Sequence, residues 1–240
     1  QMVVTESDYL YVHDVDLINF RNSGREWFGE VLTVENASFA VGLPDVISSP
    51  KNFIRSEIAI RTGIPTIVNL YLNGGNFIMH ACSTVDFESD DNYADVSTID
   101  QPFSTTGTLN FTYEFIRPQL SSEAWLNYFE VQCKRQMKPI DGQIHLFNID
   151  SRLSVPVKFV VEGLTSDFVL LDVTDPTNIF IQKTFSDGGN SAFIVNPGGK
   201  LLRYLVYKNG KELGPEMIGK IENQNLHALQ PADFIIITHP

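Results

Sequence analysis

Two stretches near the middle of the chain fix what it can become. Leu109–Arg117 reads LNFTYEFIR, and Leu109, Phe111, Tyr113 and Phe115 fall at every second position. Ala124–Arg135 reads AWLNYFEVQCKR, where Trp125, Asn127, Phe129, Val131 and Cys133 alternate with Leu126, Tyr128, Glu130, Gln132 and Lys134. Successive side chains of an extended strand point to opposite faces, so this period of two suits half-buried strands and not helices. Short β-branched and aromatic runs bounded by Gly, Pro, Asn and Asp recur along the chain: Phe53–Ile60, Ile67–Leu72, Phe77–Val85, Gln143–Asn148, Val155–Val161, Phe168–Val173, Ile179–Thr184, Ser191–Val195 and Leu202–Tyr207. Asn73-Gly74-Gly75-Asn76 lies between two of these runs and predicts a hairpin turn, because glycine reaches positive φ without strain.

Strands at this spacing, with no helical pattern between them, predict an all-β fold: a β-sandwich of jelly-roll or Ig-like type. A chain of 240 residues holds one large sandwich or two successive ones. The expected division is a jelly-roll-like sandwich over 1–140, a second sandwich or a continuation of the first over 141–222, and a linker with a terminal strand over 223–240. That last stretch ends ADFIIITHP (Ala232–Pro240), and Phe234–Ile237 has the continuous apolar character of a strand covered on both faces.

Charge narrows the partners. The formal net charge is -12, with no Lys/Arg cluster to offset it. An acidic surface repels phosphate backbones and anionic bilayers, so neither nucleic-acid binding nor adsorption to an anionic membrane is expected. No run approaches the roughly 20 apolar residues of a spanning helix, so direct membrane insertion is not expected either. The opening QMVVTESDYLYV has no basic start followed by a long apolar run, which leaves a cytoplasmic chain or one whose export signal lies outside it.

The candidate chemistry is sparse. Asp86–Asp100 (DFESDDNYADVSTID) holds six carboxylates and could offer oxygen ligands to calcium, but it lacks EF-hand spacing; a solvated acidic loop is the expectation. His13, His80, His145, His227 and His239 are dispersed and form no metal-ligating motif. Cys82 and Cys133 are too far apart for a CxxC motif and read as buried or half-buried strand thiols. A dyad of His80 with Cys82 would span roughly 7 Å along one strand face, beyond direct contact. No catalytic, cofactor-binding or metal-binding residue is therefore assigned. Gly24–Glu30 (GREWFGE) is a tight corner whose Trp27 and Phe28 either plug a sandwich end or face a ligand.

GREWFGE, AWLNYFEVQCKRQM, FVLLDVTDPTN and LQPADFIIITHP occur here in that order. Over about residues 9–240 the chain resembles the region upstream of the peptidase domain in PorU-like proteins. These are gingipain-family cysteine peptidases that act as sortases of the type IX secretion system in Bacteroidetes. The resemblance implies that Ala232–Pro240 is the first strand of a caspase-like α/β domain absent from this chain, and that the catalytic His and Cys lie beyond residue 240. It implies an exported protein at the outer-membrane surface. There the parent would remove the C-terminal signal domains of secreted cargo and attach that cargo to an anionic lipopolysaccharide. The β region would serve as a scaffold or docking platform for cargo signal domains or an outer-membrane barrel partner. The residues alone also admit a jelly-roll carbohydrate-binding module using exposed Trp27 or Trp125, and a cysteine hydrolase using Cys82 or Cys133.

Overall fold

The computed structural model describes residues 1–20, 26–33, 35–43, 45–88, 92–152, 156–212 and 214–220. The strands, in chain order, are β1 (Met2–Val4), β2 (Glu6–Asp14), β3 (Ala37–Leu43), β4 (Phe53–Arg61), β5 (Ile67–Leu72), β6 (Gly75–Ala81), β7 (Asp95–Pro102) and β8 (Gly107–Phe115). They continue as β9 (Glu123–Gln136), β10 (Gln143–Phe147), β11 (Val157–Val161), β12 (Phe168–Asp172), β13 (Phe180–Ile181), β14 (Phe185–Asp187), β15 (Asn190–Val195) and β16 (Arg203–Lys208). The protein is all-β, as the alternating runs predict.

Among the described residues, four four-stranded sheets make two sandwiches. In the first, β2-β9-β4-β7 faces β3-β8-β5-β6, all antiparallel, in the wound order of a jelly roll. In the second, β1-β11-β15-β14 faces β10-β16-β12-β13. Each sandwich has its own core. The first is built on Ile54, Ile58, Leu70, Leu109, Phe111, Tyr113 and Phe129, the second on Leu146, Phe159, Phe193, Tyr204 and Val206. Phe129 is fully buried and packs against Phe111 at 4.9 Å and Phe39 at 5.2 Å between ring centroids. Burying such a side chain contributes about 1.5–3 kcal/mol. Strand β1 pairs in parallel with β11, so the first residues of the chain complete the second sandwich, not the first.

The alternation within β9 changes phase. Glu57 faces Tyr128 and Ile58 faces Leu126, which leaves Asn127 as an extra residue, a β-bulge. Phe129, Val131 and Cys133 therefore point into the core, as expected, but on the far side of the bulge it is Leu126 and Ala124 that do so. Trp125 turns to the outer face of the sheet, against Phe28 and Ala59, with Phe20 at 4.6 Å. One inserted residue reverses every face before it.

The hairpin at Asn73-Gly74 forms: Leu72 pairs with Gly75, and Asn73 and Gly74 have φ of 49° and 81°. Both central residues at positive φ define the turn whose twist matches the flanking strands. The expectation of an acidic loop over Asp86–Asp100 needs correction. From Asp95 onward these residues form the edge strand β7, paired with β4, because Val96, Thr98 and their neighbours alternate along it. In the GREWFGE segment, Phe28 is buried and stacks on Phe20 at 4.5 Å, while Trp27 is 45% exposed. A Cβ at Gly29 would meet the Val15 carbonyl oxygen at 2.8 Å, so the corner closes only over glycine. The predicted terminal strand at Phe234–Ile237 lies outside the described residues.

Candidate functional site

The sequence candidates disperse. His80 is fully buried inside the first sandwich, with Nε2 2.9 Å from Ser56 Oγ and Nδ1 3.0 Å from Ser97 Oγ. Ser56 Oγ is in turn 2.9 Å from the Tyr113 hydroxyl. Desolvation lowers the His80 imidazole to about 4, so at neutral pH it is an uncharged member of a core hydrogen-bond network. Both ring nitrogens are occupied, and neither serves Cys82. Cys82 and Cys133 are free thiols, and burial pushes each up to about 12. A thiol held protonated is a poor nucleophile. Trp125 is buried and offers no face to a ligand.

The carboxylates of the 86–100 stretch also diverge. Asp86 accepts a hydrogen bond from the Glu88 amide, and Asp95 accepts one from the Ser83 amide. Asp100 forms a two-pronged pair with Arg55 at 2.7 and 2.8 Å. Among the described residues, no group of three or more His, Cys, Asp or Glu converges as a metal site would require. His227 and His239 lie outside the described residues.

What the fold does assemble is a groove of about 980 Å³ between the sandwiches, one wall from β2 and β9, the other from β10 and β16. Its base is a polar junction. Lys134, 2% exposed, sets its ammonium 2.6 Å from Asp8 Oδ1 and 3.4 Å from Asp150 Oδ2. Lys51 lies 2.5 Å from the same Asp150 oxygen and holds that carboxyl below its usual range. Asp8 Oδ2 accepts the Ile149 amide at 2.7 Å, and Asn148 donates to the Glu6 carbonyl at 3.0 Å. Alternation along β9 puts Lys134 on the face opposite Phe129 and Cys133, and it is buried there because the second sandwich covers it and supplies Asp150.

Above that base the walls mix apolar and polar side chains, with Leu10 and Phe53 on one side and Leu205 on the other. Arg203 lies over the Phe147 ring, 4.9 Å from its centroid. His145 is held below its usual value by burial and then by the nearby Arg203 charge, so it adds no charge of its own at neutral pH. No sequence signal marks these residues as a group, because the walls bring together strands from the start, the middle and the end of the described chain.

This arrangement of sandwiches has a solved counterpart. The fold is shared with PorU. A crystal structure of dimeric latent PorU from Porphyromonas gingivalis superposes with a TM-score of 0.76 and 18% sequence identity, over 96% of this chain. The chain spans only 23% of the length of that PorU chain. At such identity the likeness concerns fold. Two carbohydrate-binding modules overlap far more loosely. The module CBM36 in complex with calcium and xylotriose aligns with 53% of this chain and 99% of its own, at 12% identity and a TM-score of 0.33. The CBM36-1 domain of a xylanase from the hindgut metagenome of Trinervitermes trinervoides aligns with 52% of this chain and 95% of its own, at 11% identity and 0.34. No protein-family model and no curated protein matches the sequence. Among the described residues, no helix is long and apolar enough to cross a membrane.

Proposed function

We propose that this chain is the non-catalytic N-terminal scaffold of a gingipain-like cysteine peptidase of type IX secretion. In this reading the parent enzyme processes the C-terminal signal domains of secreted cargo at the outer-membrane surface. The observation that carries the reading is the match to PorU, which takes in 96% of this chain and only 23% of PorU. The chain corresponds to one portion of a larger protein, and the catalytic His and Cys belong to another portion. The state of this chain's own thiols fits that assignment, since both are pushed up to about 12 by burial. Two sandwiches joined by a buried polar junction suit the work of a platform: between them they present a groove and several strand edges. The partners of such a platform are cargo signal domains and an outer-membrane barrel protein.

Binding of isolated cargo signal domains to the immobilised chain tests the docking role. Saturable binding, matched by the intact peptidase, is the expected result. Binding by the intact peptidase with none by this chain would overturn the docking role.

A further inference from the structure

We propose that the groove between the two sandwiches is a binding site for a short extended peptide carrying a carboxylate, received by Arg203 and by the free backbone edge at His145.

The backbone argument starts from β10, an edge strand paired only with β16. In an antiparallel ladder, alternate residues turn both peptide groups toward or away from the partner strand. Gln143 and Phe147 turn theirs away from β16. The Gln143 amide donates to the Ile140 carbonyl at 3.1 Å, the Ile140 amide returns a bond at 3.2 Å, and the Phe147 amide donates to Ser7 Oγ at 3.1 Å. His145 lies midway between them and turns its N–H and C=O the same way. Among the described residues nothing pairs with them. The two neighbours that block the edge on either side leave room for one residue of an incoming chain. That is enough for a short peptide and too little for another full strand, and strand addition of this kind is a recurring mode of peptide capture.

The charge argument concerns which peptide. Three of the cations lining the groove are neutralised by the protein itself: Lys51 by Asp150, Lys134 by Asp8, and Arg135 by Asp45. Arg203 has no carboxylate partner among the described residues. Its guanidinium lies over the Phe147 ring, 4.9 Å from the centroid, which restricts where its donors reach. A planar guanidinium placed in this way suits two-pronged recognition of a carboxylate. Asp141, in the turn that precedes β10, lines the groove with the opposite charge. From Gln143 to Phe147 the strand rises roughly 13 Å, so a six-residue extended peptide reaches past both of its ends. The apolar wall residues Leu10, Phe53 and Leu205 take alternate side chains. A volume of about 980 Å³ is large for a small-molecule site and ample for such a segment.

The test uses a capped six-residue peptide of alternating valine and threonine with glutamate at one end, and the same peptide with glutamine in its place. Titration calorimetry on the chain is expected to show saturable binding of the glutamate peptide. Arg203→Gln is expected to weaken it at least tenfold. The glutamine peptide is expected to lose as much on the unaltered protein and little more on Arg203→Gln. Leu10→Asp, at a position 48% exposed, should also weaken binding without harming the fold, whereas Met79→Gln on the far sheet should not. Amide exchange at His145 should slow in the complex. Equal affinity for the two peptides, equal affinity in Arg203→Gln, or no saturation up to about 1 mM, a free energy near 4 kcal/mol, would each overturn the proposal. Because the probe is synthetic, its failure leaves the scaffold reading of the chain untouched.

Discussion

Buried neutral His80 makes the first sandwich sensitive to acid well above the carboxylate range. The folded protein holds the imidazole at about 4 against an ordinary value of 6.5. A histidine depressed in the folded state binds its proton more readily when unfolded. The associated stability is therefore fully present above pH 6.5 and is lost as pH falls toward 4. At about 1.4 kcal/mol per pH unit, the whole interval is worth about 3 kcal/mol. Roughly 2 kcal/mol of this falls between about pH 7.5 and pH 5, before most carboxylates titrate. Both tryptophans of the chain, Trp27 and Trp125, belong to the first sandwich, so their fluorescence in urea follows the sandwich that holds His80. The comparison is between the unaltered protein and His80→Gln, whose amide reaches the same serine hydroxyls but does not titrate. The variant is expected to be less stable at pH 7.5, because its side chain fits the cavity less well, yet to lose about 2 kcal/mol less than the unaltered protein on acidification to pH 5. Parallel loss in the two proteins would refute the reasoning, as would a His80 ring resonance that titrates near 6.5.

Three further outcomes follow from the same structure. Lys134→Met, which strands Asp8 at the junction, is expected to cost about 3 kcal/mol in urea unfolding, toward the low end for a broken buried pair because Asp8 keeps the Ile149 amide; a neutral or stabilising result would contradict the ion pair. Gly74→Ala forces a side chain into φ of 81° at the hairpin and is expected to destabilise the first sandwich by about 1–2 kcal/mol, whereas Gly75→Ala on the adjoining strand should cost less. Cys82 and Cys133, pushed up to about 12, are expected to react with iodoacetamide at pH 8 at least tenfold more slowly in the folded protein than in urea, and fast labelling of either in the folded chain would contradict its burial.

Strand identity was the most legible feature of the sequence, and the reason is the period of two. Ile67–Leu72 matches its strand residue for residue, and the β8 and β9 runs are correct to within two residues at each end. Where the period is interrupted, reading it fails. Alternation alone puts Trp125 on the face of Phe129, but the bulge at Asn127 reverses it, and bulges leave no mark in a pattern of apolar and polar letters. Strand β7 escapes because its side chains are mostly polar: Asp95, Ser97, Thr98 and Asp100 read as loop, yet pairing with β4 and the Arg55–Asp100 contact hold them extended. The parallel pairing of β1 with β11 joins residues about 155 positions apart and has no local signature.

The groove was illegible for a related reason. Lys134 and Arg203 are unremarkable in sequence and His145 stands there only as one of several dispersed histidines; each acquires its character only when two sandwiches meet. Burial turns Lys134 from a solvated cation into the partner of Asp8. The lack of a carboxylate partner among the described residues, not a motif, distinguishes Arg203. His80, Cys82 and Cys133, which sequence reading singles out as reactive types, were absorbed by packing, since a neutral imidazole and protonated thiols are what a dry interior favours.

The central claim is that this chain is the accessory β region of a type IX peptidase, with the chemistry elsewhere in that protein. The most direct test is peptidase activity on a cargo protein bearing its C-terminal signal domain, measured for this chain and for the intact peptidase. Release of the signal domain by the intact enzyme, with none by this chain at equal concentration, is the predicted result. Release by this chain alone, abolished by substituting Cys82 or Cys133, would contradict the account.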